Sequence, residues 1–220
     1  MRKSPAAGPA EPPLNRPHCC VSCDCDGCEV ELCIHATRIK EAVHLVQLGA
    51  RAGLISQLTK IEKPTINRLY RQYCGVPSPP GQAPFTDSWY RESDLRMLQA
   101  TIIWRLHRRL AQTARSDARI VIDVYEAYTQ LVHEPLLDIT RAVFVPRLVT
   151  MGTWHEKTCE FCATPYLDGT DSNSTSCPGC QLYHLHRCHH CGASMEPQRR
   201  GRRRVVCGHC GNTQNGGARH

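Results

Sequence analysis

No run of this sequence reaches the ~18 consecutive apolar residues that a membrane-spanning helix needs, so no bilayer span is expected. The first residues have no apolar h-region of the kind that drives secretion. Met1 to Arg16 is instead Pro-, Ala- and polar-rich without periodicity, which predicts a disordered arm. Without an export or anchoring signal the expected location is cytoplasmic. Signatures of catalysis are missing as well: there is no Gly-rich loop to cradle phosphate and no His-Glu-x-x-His. His107 and His133 have no carboxylate at a useful spacing, and Glu134 and Asp138, one turn apart, read as solvent-facing acids. An enzyme is not expected. Acidic residues also run out toward the C-terminus. From Gln181 to His220 there are seven Arg, no Lys and only Glu196 as an acid, so +6 of the formal +7 lies in the last 40 residues.

Cysteine is what the chain has in excess. Fifteen is an odd number, and most fall at metal-ligand spacing, which favours zinc in a reducing compartment over a disulfide framework. Four Cys-x-x-Cys pairs stand in the C-terminal quarter: Cys159/Cys162, Cys177/Cys180, Cys188/Cys191 and Cys207/Cys210. A tetrahedral Zn²⁺ takes four such thiolates, and two knuckles separated by a hairpin supply them. Fourteen residues separate Cys162 from Cys177 and fifteen separate Cys191 from Cys207, so one half-repeat spacing occurs twice. Two tandem zinc ribbons, with Gly179, Gly192 and Gly211 as turn residues, follow from that spacing. An interleaved cross-brace is the alternative pairing, although each neighbouring pair of knuckles already closes a site. Cys177-Pro-Gly-Cys180 also looks like a redox dithiol, but that chemistry needs a strand before the motif, and Asp171 to Ser176 is a poor strand. With four thiolates and no open position, each zinc reads as structural.

Five arginines, Arg199, Arg200, Arg202, Arg203 and Arg204, fall between Pro197 and Val205, inside the hairpin of the second ribbon. A cationic loop on a metal-stiffened module suits phosphate contact, because neutralising phosphates releases counterions. A solvated basic loop without a partner is the plain alternative. At the other end, Cys19, Cys20, Cys23, Cys25, Cys28 and Cys33 crowd together. Cys20/Cys23 and Cys25/Cys28 are too close for a ribbon hairpin. A third metal site, adventitious metal binding, a thiol-sensitive tail and a translation start further in are all compatible with that arm.

Between these ends the pattern is helical. Ile39, Val43, Val46 and the Leu45/Leu48 pair predict a helix to about Arg51, broken at Gly53, with a short helix over Leu54 to Leu58. Pro64 suits the start of the next, in which Ile66, Leu69 and Tyr70 face inward while Arg68 and Arg71 face outward. Two helices and a short turn, the second basic on its free face, is a helix-turn-helix pattern, and Arg68 and Arg71 are its candidate DNA contacts. A Pro-rich linker from Cys74 to Pro84 follows, pinned by Phe85, Trp89 and Tyr90. Leu95, Leu98, Ile102, Leu106 and Leu110 then form a stripe with Trp104 at its edge. The next helix, capped by Asp117, should bury Ile120, Val124, Tyr128 and Leu131. Pro135 should open the last, with Leu136, Ile139 and Val143 inside, Pro146 as a kink and Gly152 as its end. The expected organisation is a mainly α fold: an arm over 1–37, a helical core with its helix-turn-helix over 38–152, and zinc ribbons over 153–186 and 187–220.

The order of residues in Leu48-Gly-Ala-Arg51, Arg68-Leu-Tyr-Arg71, Pro79-Pro-Gly81, Pro84-Phe85 with Trp89, Pro135-Leu-Leu137 and Thr140-Arg-Ala142, followed by Cys159/Cys162 and Cys177/Cys180, resembles the C subunit of the bacterial flagellar master transcription activator, the FlhC family. The resemblance implies a DNA-binding activator subunit in a hetero-oligomer with a small helical partner, FlhD, which bends promoter DNA and recruits RNA polymerase. It also implies that Cys159, Cys162, Cys177 and Cys180 are the family's structural zinc ligands. This chain departs from the family pattern by adding the second Cys₄ set, the Arg hairpin and the Cys-rich arm. Relatives on mobile elements switch on conjugation genes, so a transfer regulon is as compatible as a flagellar one. The reading from another class is a zinc-ribbon adaptor that binds proteins and not duplex DNA.

Overall fold

The computed structural model describes residues 30–81, 84–113, 115–184, 187–195 and 205–215. These residues are mainly α-helical, with one two-stranded antiparallel sheet among them. The Cys19 to Cys28 cluster and Arg199, Arg200, Arg202, Arg203 and Arg204 lie outside the described residues. Among the described residues no helix is long and apolar enough to cross a membrane.

The first unit is α1 (Val30–Gln47), α2 (Ala52–Thr59) and α3 (Lys63–Cys74). The break after α1 comes at Gly49 and not at Gly53. Gly49 takes φ +77° and the next amide, Ala50, donates back to the Leu45 carbonyl at 2.9 Å, which ends the helix. Gly53 sits inside α2, where its backbone is ordinary. A turn through Lys60 joins α2 to α3, whose second residue is Pro64. Ala42, Leu45, Val46, Ile55, Ile66 and Tyr70 form the shared core, and the Tyr70 hydroxyl donates to the Ala50 carbonyl.

The second unit packs α4 (Ser88–Arg91), α5 (Asp94–Leu110), α6 (Asp117–Leu131) and α7 (Ile139–Thr150). The central element is α6, because it carries two apolar stripes at i, i+4 spacing. Ile120, Val124 and Tyr128 face α5 and α7, while Ala118 and Ile122 face the first unit. This helix therefore belongs to both cores, and α7 joins it there through Ile139. Polar ties reinforce the join: His44 Nε2 lies 2.7 Å from Glu126 Oε1, and the Ser116 hydroxyl donates to Glu41. Ser116, not Asp117, caps α6, its hydroxyl accepting from the Arg119 amide.

Several expectations about which side chains are inside give way here. Leu131 is 68% exposed and Leu95 and Leu136 are also open, whereas Met97, Ala100, Ile103 and Leu137 are buried. The expected stripe of α5 still packs against the core through Ile102, Leu106 and Leu110, but the buried face is wider, because α6, α7 and the sheet enclose the helix from more than one side. Phe85 is 81% exposed and pins nothing, while Tyr90 does, donating to the Arg141 carbonyl at 2.8 Å. Trp89 is held between two guanidinium groups, those of Arg96 at 4.3 Å and Arg141 at 4.1 Å from its ring centre.

α7 starts at Ile139, not at Pro135, because a buried polar knot ties down the preceding backbone. Gln99 Nε2 donates to the Glu134 carbonyl at 3.0 Å, and its Oε1 accepts from the Leu136 amide at 2.8 Å and from the Tyr128 hydroxyl. The Tyr128 oxygen accepts from the Leu136 and Leu137 amides in turn. Asp138 then caps α7 through the Arg141 amide. Gln99→Leu keeps the volume and orphans those groups in an apolar setting. We expect it to lower stability by about 3 kcal/mol, read as a shift of the urea midpoint at unchanged slope.

Candidate metal centre

The first Cys₄ set is built on a hairpin that the helical core grips. β1 (Trp154–Thr158) and β2 (Pro165–Gly169) pair antiparallel, with Trp154 opposite Gly169 and Thr158 opposite Pro165. Their connection is the first knuckle, in which the Cys159 amide donates to the Thr164 carbonyl and the Ala163 amide returns to the Cys159 carbonyl. The core holds this hairpin by several points. The Leu167 amide donates to Thr101 Oγ1 of α5 at 3.2 Å, and Trp154 Nε1 donates to Asp87 at 2.9 Å. Arg108 pairs with Glu156, and Arg91 with Asp171. Trp154 and Leu167 belong to the main helical core itself.

After an irregular stretch, Cys177 caps α8 (Pro178–Tyr183), its sulfur accepting from the Cys180 amide at 3.3 Å. No strand leads directly into Cys177, because residues 170–176 after β2 are irregular, so the context of a redox dithiol is missing. A Cβ on Gly179 would meet Leu98 of α5 at 3.6 Å, so this knuckle packs directly on the core. Gly179 and Gly211 have helical backbones within α8 and α9 (Gly208–Asn215), and only Gly192 of the three takes a positive φ, +69°.

Cys159, Cys162, Cys177 and Cys180 bring their four sulfurs within 4.8 Å of one another, and so do Cys188, Cys191, Cys207 and Cys210. Neighbouring pairs thus share a cluster, and no interleaving occurs. The two sets repeat one hydrogen-bond pattern. The Cys177 amide donates to Cys159 Sγ at 3.2 Å, and the Cys207 amide to Cys188 Sγ at 3.3 Å. The Cys180 and Cys210 amides likewise donate to Cys177 and Cys207. Amides aimed at sulfur stabilise thiolate, the form that binds metal.

The donor chemistry fits a soft dication. Thr164 holds the Cys162 thiol down to about 6, whereas burial and then the surrounding thiols push Cys180 far above its ordinary range. In the second set, backbone amides of Cys191 and Cys207 bring Cys188 down to about 6, while the Cys191 thiol and then burial push Cys210 up to about 12. Four thiolates this close repel one another, and a divalent cation at their centre removes that penalty. Four-sulfur sets of this spacing suit zinc among the common metals.

The proposed DNA contacts divide. Arg68 and Arg71 are exposed on α3, opposite buried Ile66 and Tyr70. The five hairpin arginines lie outside the described residues, between Met195 and Val205. A group that spacing alone did not single out is the ring cluster between the two metal sets, Phe161, Tyr183, His184 and His189. Its one sequence signal is position, since Phe161 and His189 each lie inside a knuckle.

The family described as Flagellar transcriptional activator (FlhC) matches residues 29–207. The "Flagellar transcriptional regulator FlhC" of Cupriavidus metallidurans is 29% identical over 130 residues, which is 57% of this chain and 61% of that protein. Proteins of the same description from Xenorhabdus nematophila and Serratia marcescens are 25% and 26% identical, each match covering 66% of this chain and 79% of the relative. The chain thus spans about three-fifths of the first relative and about four-fifths of the other two. A match over four-fifths of the chain, reaching through both the helical core and the first Cys₄ set, means that this protein belongs to the FlhC family of flagellar transcriptional activators.

Proposed function

We propose that the protein is a zinc-containing, DNA-binding activator subunit that works in a hetero-oligomer with an FlhD-like helical partner and recruits RNA polymerase to flagellar or element-borne transfer promoters. The observation that carries this reading is α3. It is the second helix of a helix-turn-helix, anchored by Ile66 and Tyr70, and it offers Arg68 and Arg71 to solvent in a chain of the FlhC family. Zinc at Cys159, Cys162, Cys177 and Cys180, and at Cys188, Cys191, Cys207 and Cys210, holds the C-terminal modules in shape. The arm expected over 1–37 gives way at Val30, where α1 begins, and it is followed by a helical core to 152 and two metal modules over 153–186 and 187–220. Catalysis has no part in this reading.

Duplex binding, with Arg68 and Arg71 on α3 and Arg199, Arg200, Arg202, Arg203 and Arg204 in the hairpin, has a salt signature. Neutralising about five phosphates through the five hairpin arginines alone predicts a log–log slope of affinity against salt near −4.5. Replacing Arg202, Arg203 and Arg204 with Ala should flatten it by about 2 to 3 and weaken binding alike on all sequences. Loss confined to one site sequence would mean that the hairpin reads bases. Chromatin precipitation of the tagged protein, with its partner gene intact, tests the whole reading. Peaks at flagellar or transfer promoters are expected and name the regulon. An absence of peaks, with no duplex binding in the partner's presence, would leave the protein-binding adaptor as the better account.

A further inference from the structure

Between the two Cys₄ clusters lies a set of rings that the proposed function does not use. Phe161, inside the Cys159/Cys162 knuckle, meets His189, inside the Cys188/Cys191 knuckle, edge to face with ring centres 5.2 Å apart. His184 stands on the chain segment between the sets and touches both, 5.9 Å from Phe161 and 4.6 Å from His189. Tyr183 packs edge-on behind it at 5.0 Å, and the Arg187 guanidinium covers Tyr183 at 5.3 Å. The Arg187 amide also donates to the His184 carbonyl at 3.2 Å.

His184 Nδ1 is buried and has no hydrogen-bond partner among the described residues. A buried ring nitrogen ordinarily finds one, so this imidazole is held for its faces and edges and not for that nitrogen. The family match spans Phe161, His184, His189 and three thiols of the second set, and ends at residue 207, ahead of Cys210.

We propose that this ring cluster couples the two metal sets, so that they load and release zinc cooperatively. Metal binding folds a knuckle. A folded first knuckle fixes Phe161, and Phe161 with His184 then presents a ready surface to His189, so the second knuckle has less freedom left to lose when its own metal arrives. The effect must run equally in reverse, because coupling between two binding events is reciprocal. The second set is then a support for the first and not an independent module.

The inference rests on the zinc reading above, and one titration separates the two. The full-length protein is purified with zinc, its metal content is counted, and a chromogenic chelator is added. Wild type holding two zinc ions per chain upholds the zinc reading whatever follows, and fewer than two overturns that reading. Given two, the coupling predicts that both leave together over one steep range of chelator. His184→Ala keeps all eight thiolates and both ions, yet half of the zinc should leave at about tenfold less chelator and in two separate steps. His184→Phe keeps a ring, has no nitrogen to satisfy, and should restore the wild-type curve. Cys207→Ser should lose the second ion and leave the first about tenfold easier to remove. Wild-type curves for His184→Ala, or an unchanged first zinc in Cys207→Ser, would overturn the coupling. A His184→Phe curve that follows Ala would overturn the packing account.

Discussion

Cys177→Ser is expected to yield a protein short of the first zinc and without measurable affinity for duplex DNA. Cys177 does three things at once. Its sulfur is one of four clustered ligands, it caps α8 by accepting from the Cys180 amide, and its own amide donates to Cys159 Sγ. A serine hydroxyl can still cap a helix, but it does not ionise near neutral pH and is a poor zinc donor. Structural zinc contributes about 10–16 kcal/mol to the folding of zinc-finger peptides, so losing one ligand removes more than any side-chain contact could. The damage spreads because Gly179 of this knuckle packs on Leu98 of α5. Metal content and a duplex titration check both halves of the result. Full zinc and full affinity in the variant would refute a structural role for this set.

Trp154→Ala should be the most damaging change that touches no thiol. Trp154 is 1% exposed at the start of β1, packs edge to face on Tyr90 at 5.2 Å and donates to Asp87. Truncating a buried tryptophan costs about 3–5 kcal/mol, part transfer and part cavity. Asp87 also loses a donor, although Arg91 remains 3.6 Å away. For a chain of this size about 4 kcal/mol corresponds to a melting point lower by roughly 8–16 °C. Trp154→Phe keeps the edge contact and should recover most of it. A melting point within about 2 °C of wild type in the Ala variant would mean that the metal hairpin is not part of the main core.

The two Cys₄ clusters were legible in the sequence because thiol pairing is local: the Cys-x-x-Cys spacing states which thiols can meet, whatever surrounds them. The inward Ile66 and Tyr70 with outward Arg68 and Arg71 were legible for a similar reason, since helical periodicity needs only one element. What the sequence did not disclose depends on partners distant along the chain. Leu131 and Leu95 have the right spacing for burial, but among the described residues they stay 68% and 40% exposed. Phe85 looked like an anchor and stands in solvent, while Tyr90, five residues on, found Trp154. Pro135 announced a helix that the Gln99 and Tyr128 side chains postponed to Ile139. The ring cluster of Phe161, His184 and His189 has no periodicity to betray it.

The three tryptophans share one address. Trp154 is inside the core formed by α5, α6, α7 and the hairpin, Trp89 and Trp104 pack against that same core, and the core of α1, α2 and α3 includes none. Intrinsic fluorescence is therefore a local instrument in this molecule. It will follow melting of the half that carries the hairpin, and it will be almost silent if the α1, α2 and α3 unit loosens first. An optical melt that lags behind loss of helical circular dichroism would mark that unit as the part that opens on its own.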